Sequence, residues 1–214
     1  MARDVTGPRS SYARAAEDLL LLRASPPRER ADAARNRAAV LDAAAGLFRR
    51  HGVNAVSMDA VATAAGVGKG TLFRRFGDKA GLAVALLDAR ERELQDAIIF
   101  GAAPLGPGKP GDEPGQSDRL RAFVDAYLDY ALAHLDLLRM SETGSPGARY
   151  RVGAYRFWHH HVALLLAHRA DADADAHALL APLAAEHLRA AVAELGEARV
   201  RRSMRALADA LVAD

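Results

Sequence analysis

The sequence predicts an all-α protein. Its 214 residues include 49 alanines and 28 leucines, against 13 valines and 2 isoleucines. Alanine and leucine are the strongest helix formers, whereas β-branched residues favour strands. The chain has no cysteine, which excludes disulfides, thiolate metal sites and cysteine nucleophiles. Half of the residues are hydrophobic but no run of about 18 apolar residues occurs, so we expect a cytoplasmic protein without a membrane span or a secretory signal.

Charge divides the chain into unlike parts. Residues 1–80 contain 14 basic and 8 acidic residues, a net charge of +6, whereas residues 81–214 contain 15 and 19, a net charge of −4. A basic segment joined to an acidic one is typical of a polyanion-binding module with a second domain, ordinary compositional scatter being the alternative. We predict a mobile arm over residues 1–30, a basic helical domain over 31–80 and a second helical domain over 81–214.

The periodicity predicts four helices in the first hundred residues. The pattern becomes regular from Ala31, the first helix carries an apolar stripe from Val40 to Phe48, and Gly52 follows it as a left-handed C-cap would. Ser57 is an N-cap candidate for a second helix that ends near residue 65. A third covers about residues 69–76, and Asp78 is the expected N-cap of a long fourth helix that reaches about residue 99.

Glycine and proline recur so densely over residues 101–116 that no helix is expected there. Ser117 is a plausible N-cap for the helix that follows. Further helical patterns cover about residues 135–142, 150–169 and 197–212. Between the last two, another helix ends near residue 195 and bends near Pro182.

The segment from Ser57 to Phe76 carries the strongest functional signal. It predicts a helix, a turn over residues 66–68 and a second short helix in which Leu72 and Phe76 face inward. A helix of ordinary width fits the major groove of duplex DNA, and long cationic side chains reach phosphates. The residues left pointing outward are Lys69, Thr71, Arg74 and Arg75. The pattern therefore favours a DNA-binding helix-turn-helix, with a purely structural helical hairpin as the alternative.

Residues 34–82 resemble the DNA-binding domain of the TetR family of transcriptional regulators. The matching stretches are AAAGLFRRHG at 43–52, SMDAVA at 57–62, AAGVGKGTLFRRF at 64–76 and GDK at 77–79. The resemblance implies three N-terminal helices for DNA and a variable helical domain that usually binds a small molecule and dimerises through its last two helices. Residues 117–214 show a weaker similarity to a TetR subgroup with members called SbtR-like, which names no ligand.

The third helix is the expected recognition helix. We expect Lys69 and Thr71, at its start, to reach base edges and Gly70 to belong to the same surface. Arg74 is the expected phosphate contact on this helix. Two of the three lysines of the chain, Lys69 and Lys79, fall in this region.

Residues outside the recognition helix are expected to hold the DNA backbone. Ser57 and Lys79 would bind phosphates at helix N-termini. Arg35 and Arg37 would precede the first helix and reach a phosphate or the minor groove, ordinary solvated arginines being the alternative.

Two positions depart from the family pattern. The family commonly has tyrosine at the position of Phe73, and the phosphate hydrogen bond of that hydroxyl should be missing here. It often has histidine at the position of Arg75, and an arginine keeps its charge at all pH and can hold a phosphate through two hydrogen bonds. We hypothesise that Arg75 offsets the loss at Phe73.

Aromatic residues gather in the second domain. Aromatic side chains with polar tips suit the wall of a small-molecule pocket between helices, although each of them is also an ordinary core residue. The pocket residues predicted on this ground are Phe123, Tyr127, Tyr130, Tyr155, Trp158 and His159. Three consecutive histidines, residues 159–161, point about 100° apart on a helix and cannot share one metal ion. We expect a solvated or satisfied histidine cluster, with a pH-sensitive pocket as the alternative, and no metal and no cofactor.

The last two helices carry apolar stripes that need a partner. The alternatives are packing on the same domain and a symmetric four-helix interface with a second copy. The resemblance favours the interface, and the residues predicted for it are Leu188, Val192, Val200, Met204, Leu207 and Leu211.

These expectations combine into a ligand-responsive regulator that is not an enzyme. A homodimeric repressor would bind a palindromic double-stranded operator, and a small effector would release it. The alternatives are an activator or a ligand-independent regulator, a non-specific nucleic-acid binder, and an enzyme built on the helical domain.

Overall fold

The computed structural model describes Leu19 and residues 31–109, 111, 113–151 and 153–213, apart from the side chains of residues 31 and 32. These residues form eleven α-helices and one short 3₁₀ helix, without a strand. The predicted all-α class is therefore confirmed. No helix within the described ranges is long and apolar enough to cross a bilayer.

Four helices make up the N-terminal part, with boundaries close to the predicted ones. Gly52, in the left-handed region at φ 77°, follows the first helix as predicted. The Ser57 side chain caps the second helix by accepting from the Ala60 backbone N–H, and Asp78 caps the fourth by accepting from that of Gly81. The four are α1 (Ala31–His51), α2 (Met58–Ala64), α3 (Lys69–Phe76) and α4 (Lys79–Phe100).

Seven helices make up the C-terminal part. Residues 101–115 form no helix where the structure describes them, as predicted. The chain bends at Pro182, which lies in the 3₁₀ helix Ala181–Leu183, and Gly196 separates the last two helices. The seven are α5 (Gln116–Ala133), α6 (Leu135–Thr143), α7 (Ala148–Arg151), α8 (Gly153–Leu165), α9 (Ala172–Leu180), α10 (Ala185–Leu195) and α11 (Glu197–Val212).

Three local predictions need correction. Arg35 and Arg37 lie inside α1 rather than before it. Ser117 lies inside α5, whose N-cap is Gly115. The helix expected over residues 150–169 ends at Leu165, and its described parts are α7 and α8, on either side of residue 152, which lies outside the described residues.

Two hydrophobic clusters form the core. The first joins α1–α3 to the start of α4 through Leu82, and the second joins the rest of α4, through Leu87, to α5, α6 and α8–α11. Leu137 on α6 packs against both clusters. The division at residue 80 stays a prediction, but α4 belongs to both clusters and α6 packs along it.

The N-terminal arm falls mostly outside the described residues. Of residues 1–30, the structure describes Leu19, which is fully buried in the second cluster. The remainder of the predicted arm is not among the residues that the structure describes.

Three ion pairs connect α5 to α11. Residues 121, 125 and 129 follow one face of α5 at intervals of four, and residues 201, 205 and 209 do the same on α11. The pairs run in antiparallel order along the two helices, namely Arg121–Asp209, Asp125–Arg205 and Asp129–Arg201. These pairs hold one side of α11 against α5 of the same chain.

Candidate nucleic-acid interface

Helix α3 turns one face inward and one outward. Leu72 and Phe76 are buried in the first cluster, as the i, i+4 spacing predicts. Phe73 lies on the outer face with 45% of its surface exposed. The exposed residues of the helix also include Lys69, Gly70, Thr71 and Arg74, whereas Arg75 is half-buried. The side chains predicted to meet DNA therefore share one open surface, with Arg75 at its edge.

A tight turn sets α3 against α2. Gly66, at φ 65°, lets the chain reverse, and the Val67 backbone N–H then donates to the Ala62 carbonyl at 3.0 Å. Gly70 lies on the exposed side of the next helix, and a Cβ built there would meet nothing within 4 Å. The protein itself does not require glycine at this position. The surface beside Gly70 is therefore open to a partner that approaches the backbone.

Lys69 is already paired in the DNA-free protein. Its ammonium lies 2.5 Å from an Asp59 carboxylate oxygen on α2, and both side chains are more than half exposed. An exposed pair of this kind contributes about 1 kcal/mol or less. The pair directs the Lys69 side chain across the α2–α3 turn. Because the pair is weak, Lys69 can exchange Asp59 for a group on DNA.

Ser57 keeps a free donor after capping α2. Its hydroxyl oxygen accepts from the Ala60 backbone N–H at 3.1 Å. A hydroxyl that accepts one hydrogen bond still has its O–H to donate. The geometry is therefore compatible with the predicted phosphate contact, which stays a prediction.

Lys79 has a different role from the predicted one. Its ammonium donates to three backbone carbonyls of the loop between α1 and α2, those of Val53, Asn54 and Val56, at 2.9, 3.1 and 2.9 Å. An ammonium has three N–H donors, so all three are used inside the protein. The phosphate contact predicted for the Lys79 side chain is corrected to a contact that ties α4 to this loop.

Arginines of α1 also differ from expectation. Arg37 pairs with Asp88 of α4 at 3.1 Å, so it joins two helices of the N-terminal part. Arg35 is exposed on α1. The contact of Arg35 with DNA stays a prediction, and it would be made by a residue of α1.

The predicted pocket residues of the C-terminal domain lie in two aromatic groups, one with Phe123, Tyr127, Tyr130 and Trp158 and the other with Tyr155 and His159. The Tyr127 and Trp158 rings lie 6.0 Å apart, and Phe123 lies 5.9 and 6.2 Å from them. A cavity of about 20 Å³, room for about one water molecule, adjoins both groups. Of the predicted residues, Tyr127, Tyr155 and Trp158 line it, whereas Phe123, Tyr130 and His159 do not. The ligand contacts of all six residues stay predictions.

Sequence reasoning missed the polar lining of this cavity. Glu91 of α4, Glu142 of α6 and Arg149 of α7 lie in its wall, along with Ser141. Arg149 and Glu142 form a buried ion pair. Charged residues on three separate helices leave no periodic signal in the sequence, so their convergence is visible in the fold alone.

Each member of the Arg149–Glu142 pair also has a hydrogen-bond partner on the backbone. The Ala185 backbone N–H, at the start of α10, donates to Glu142 at 2.8 Å, and Arg149 donates to the Leu180 carbonyl at the end of α9 at 2.8 Å. The guanidinium also lies 5.3 Å from the centre of the Tyr155 ring. The pair thus connects α6 and α7 to the segment that bends at Pro182.

Glu91 has a perturbed carboxyl group. It accepts a hydrogen bond from the Tyr130 hydroxyl at 2.9 Å, and burial raises its pKa from 4.5 to about 7. Burial also raises the pKa of Tyr127 to about 12 and that of Tyr130 further. Both phenols therefore remain neutral at ordinary pH.

The three histidines of α8 point in different directions, as expected. His159 lies against His177, with ring centres 4.1 Å apart, whereas His161 is fully buried and burial lowers its pKa to about 3. Within the described ranges no group of three or more histidine, aspartate or glutamate side chains is placed to hold a metal ion.

The predicted dimer residues fall into two groups. Leu188, Val200 and Met204 are at most 5% exposed and belong to the second cluster, so the prediction for these three is corrected to packing within their own domain. Val192 and Leu211 are half-buried. Leu207 is 38% exposed and remains available to a second copy.

Comparison with known proteins agrees with this architecture. The profile of the family described as "Bacterial regulatory proteins, tetR family" matches residues 40–86, from the middle of α1 into α4. A solved TetR-family regulator from Pectobacterium atrosepticum shares the fold with a TM-score of 0.59 and 24% identity, over 86% of this chain and 96% of that chain. The fatty acid degradation regulator FadR from Bacillus halodurans shares it with a TM-score of 0.56 and 14% identity, over the same two fractions.

Relatives in sequence are also regulators. The HTH-type transcriptional regulator SAR2658 of Staphylococcus aureus (strain MRSA252) is 29% identical over 126 residues, which are 59% of this chain and 64% of that protein. The HTH-type transcriptional repressor SCO4008 of Streptomyces coelicolor is 29% identical over 104 residues, 49% of this chain and 46% of that protein. The matches span less than two thirds of the length of these relatives. Residues 40–86 therefore match the DNA-binding domain of TetR-family regulators, and the chain as a whole shares the fold of a solved member of that family.

Proposed function

We propose that this protein is a homodimeric repressor that binds a palindromic operator and is released by a small molecule in its C-terminal domain. The observation that carries the DNA part is the outer face of α3, on which Lys69, Thr71 and Arg74 are exposed together. Two such helices about 34 Å apart read successive major grooves. The name of the Streptomyces relative supports repression rather than activation.

Helix α4 supports the link between ligand and DNA. Its first turns pack with α1–α3, and Glu91 further along it lines the aromatic cavity. A ligand that displaces α4 therefore changes the position of the DNA-binding helices. Binding at one site alters affinity at the other when the two conformations differ in free energy for both ligands.

Selection of bound duplexes from random DNA tests the proposal. At about 0.15 M salt we expect one inverted-repeat sequence to be enriched, with an affinity at least about a thousandfold above that for random DNA. Lys69→Met should weaken binding to the selected site, because it removes a cation from the α3 face. Lys109→Met, on an exposed loop, is the matched control and should bind as the wild type does. Equal affinity for selected and random DNA would instead indicate a non-specific nucleic-acid binder.

The exposed side of α10 and α11 is the proposed dimer interface. Leu195 and Leu207 are among the few large apolar side chains that the described residues expose, and half-buried Val192 and Leu211 lie on the same two helices. An apolar surface of this kind needs a covering partner. Two copies joined here would form a four-helix interface.

Leu207→Arg should convert the dimer into a monomer, because two added charges would face an apolar surface across the symmetry axis. Sedimentation velocity measures the change, and operator affinity should fall with it. Phe100→Arg replaces an exposed apolar residue outside α10 and α11 and should leave the dimer intact. A Leu207→Arg protein that sediments as a dimer would place the interface elsewhere.

A further inference from the structure

Among the described charged residues that line the cavity, Glu91 is the one without an ion pair. Within the described ranges no arginine, lysine or histidine forms an ion pair with it, and the Tyr130 hydroxyl is its hydrogen-bond donor. Arg92, its neighbour on α4, lies 3.8 Å from the Asp88 carboxylate, and its Nε donates to the Asp88 backbone carbonyl at 3.0 Å. A buried carboxylate without a cation is costly unless a partner supplies the opposite charge.

The other charges of the cavity neutralise one another. Glu142 and Arg149 form an ion pair in which the two side chains are 7% and 8% exposed, and each has a further backbone partner. The ionised lining of the cavity, which consists of Glu91, Glu142 and Arg149, therefore carries one net negative charge. An anionic ligand would increase that charge, whereas a monocation would cancel it.

The remaining wall suits the body of an organic cation. Tyr127, Trp158 and Tyr155 line the same cavity as Glu91. Aromatic faces attract cations at short range, and more strongly when water is excluded. The same rings pack against apolar groups, so charge recognition and apolar recognition are adjacent.

We propose that this cavity binds a small organic monocation, an amine protonated at neutral pH with an apolar body, whose charge pairs with Glu91 and whose body packs against Tyr127 and Trp158. The inference rests on the proposed ligand-responsive function and names the chemical class of its effector. Because Glu91 belongs to α4, the new ion pair acts on the helix that enters the DNA-binding domain.

The cavity must open to admit such a ligand. Its present volume of about 20 Å³ holds about one water molecule. The Nε atom of Arg149, also in the wall, is buried without a hydrogen-bond acceptor among the described residues. The site is therefore closed at this volume, and its side chains have to move on binding.

Protonation competes with the ligand. With its pKa near 7, Glu91 is mostly neutral at pH 6 and mostly ionised at pH 8. The other titratable or charged groups that act on it are Asp88 and Arg92 on α4, Tyr127 and Tyr130 on α5, and Glu142 on α6. A monocation should bind the ionised form, so its affinity should rise about tenfold from pH 6 to pH 8.

A charge series on one molecular body tests the proposal. The probes are 2-phenylethylammonium, 2-phenylethanol and phenylacetate, which differ chiefly in charge. Trp158 is the sole tryptophan of the chain and lines the cavity, so its fluorescence reports binding at this site without DNA. We expect saturable binding of the ammonium, at least about tenfold tighter than that of the alcohol at pH 8, and no binding of the carboxylate.

Two variants test whether the charge of the Glu91 carboxylate itself determines the binding. Glu91→Gln keeps an oxygen that accepts from Tyr130 and should abolish both the preference for the ammonium and its pH dependence. Glu93→Gln, on the exposed side of α4, is the matched control and should bind like the wild type. Glu91→Gln should also raise the melting temperature more at pH 8 than at pH 5. The wild-type folded state holds the Glu91 proton up to about pH 7, so its stability falls as pH rises from about 4.5 through 7.

The outcomes are decisive for the ligand class. Equal affinities for the ammonium and the alcohol, a preference for phenylacetate, an unchanged preference in Glu91→Gln, or no response of Trp158 to any probe would each overturn the proposal. None of these results bears on operator selection, which uses the ligand-free protein. A protein that selects no operator but binds the ammonium through Glu91 would refute the repressor function and keep the site.

Discussion

Replacing Arg149 by methionine should lower the free energy of unfolding by about 3–5 kcal/mol. The substitution leaves the Glu142 carboxylate buried with the Ala185 backbone N–H but without its cation. It also removes the hydrogen bond to the Leu180 carbonyl and the contact with the Tyr155 ring. The loss is large because a buried charge without a partner costs far more than an ion pair contributes.

Urea unfolding at pH 7 measures this loss. Arg151→Met is the matched control, because Arg151 is exposed and donates to nearby groups, the Pro146 carbonyl and the Ser145 hydroxyl. That variant should lose about 1 kcal/mol or less. Combining Arg149→Met with Glu142→Gln should recover part of the stability, since a neutral amide still accepts from Ala185. Similar losses for Arg149→Met and Arg151→Met would show that the buried pair is unimportant for folding.

Local signals made the N-terminal part predictable. The caps Ser57 and Asp78 act on backbone groups three residues away, and the turn glycines take the positive φ values that the sequence suggests. The inward face of α3 follows from Leu72 and Phe76, four residues apart. Each of these signals spans a few residues, so a single sequence contains it completely.

The surface on which the apolar stripe of α11 packs was not predictable from a local pattern. The stripe Val200, Met204 and Leu207 shows that one side of α11 is apolar, but it does not distinguish the chain's own core from a second copy. The structure places the first two in the core and leaves the third exposed. The ion pairs with α5 bridge 72 to 88 positions in sequence, and no local rule links residues so far apart.

The cavity illustrates the same limit. The aromatic residues were recognisable as a set because they recur on two predicted helices. Glu91 lies in a long helix with several other acidic residues, and nothing in its neighbourhood marks it as the one that lines the cavity. Its function depends on Tyr130 and Trp158, which are separated from it by 39 and 67 positions.

Lys79→Met should destabilise the N-terminal domain by about 2–4 kcal/mol. Three carbonyls of the loop between α1 and α2 lose a charged donor at once, and a hydrogen bond to a charged group contributes about 1.5–3 kcal/mol when measured singly. Methionine keeps most of the apolar stem, so the change isolates the ammonium. The loop carries Val53 and Val56, which are buried in the first cluster, so its loosening should spread to α1 and α2.

Amide hydrogen exchange locates the effect, and DNA titration separates the two roles considered for Lys79. Exchange should accelerate over residues 52–57 and the start of α2, while the C-terminal domain keeps its protection. The salt dependence of operator binding by the folded protein should stay unchanged, because all three donors of the ammonium are used within the chain. Loss of a phosphate contact would reduce that slope by about one and leave stability nearly intact, the opposite result. Lys109→Met, an exposed lysine on the loop between α4 and α5, should change neither quantity.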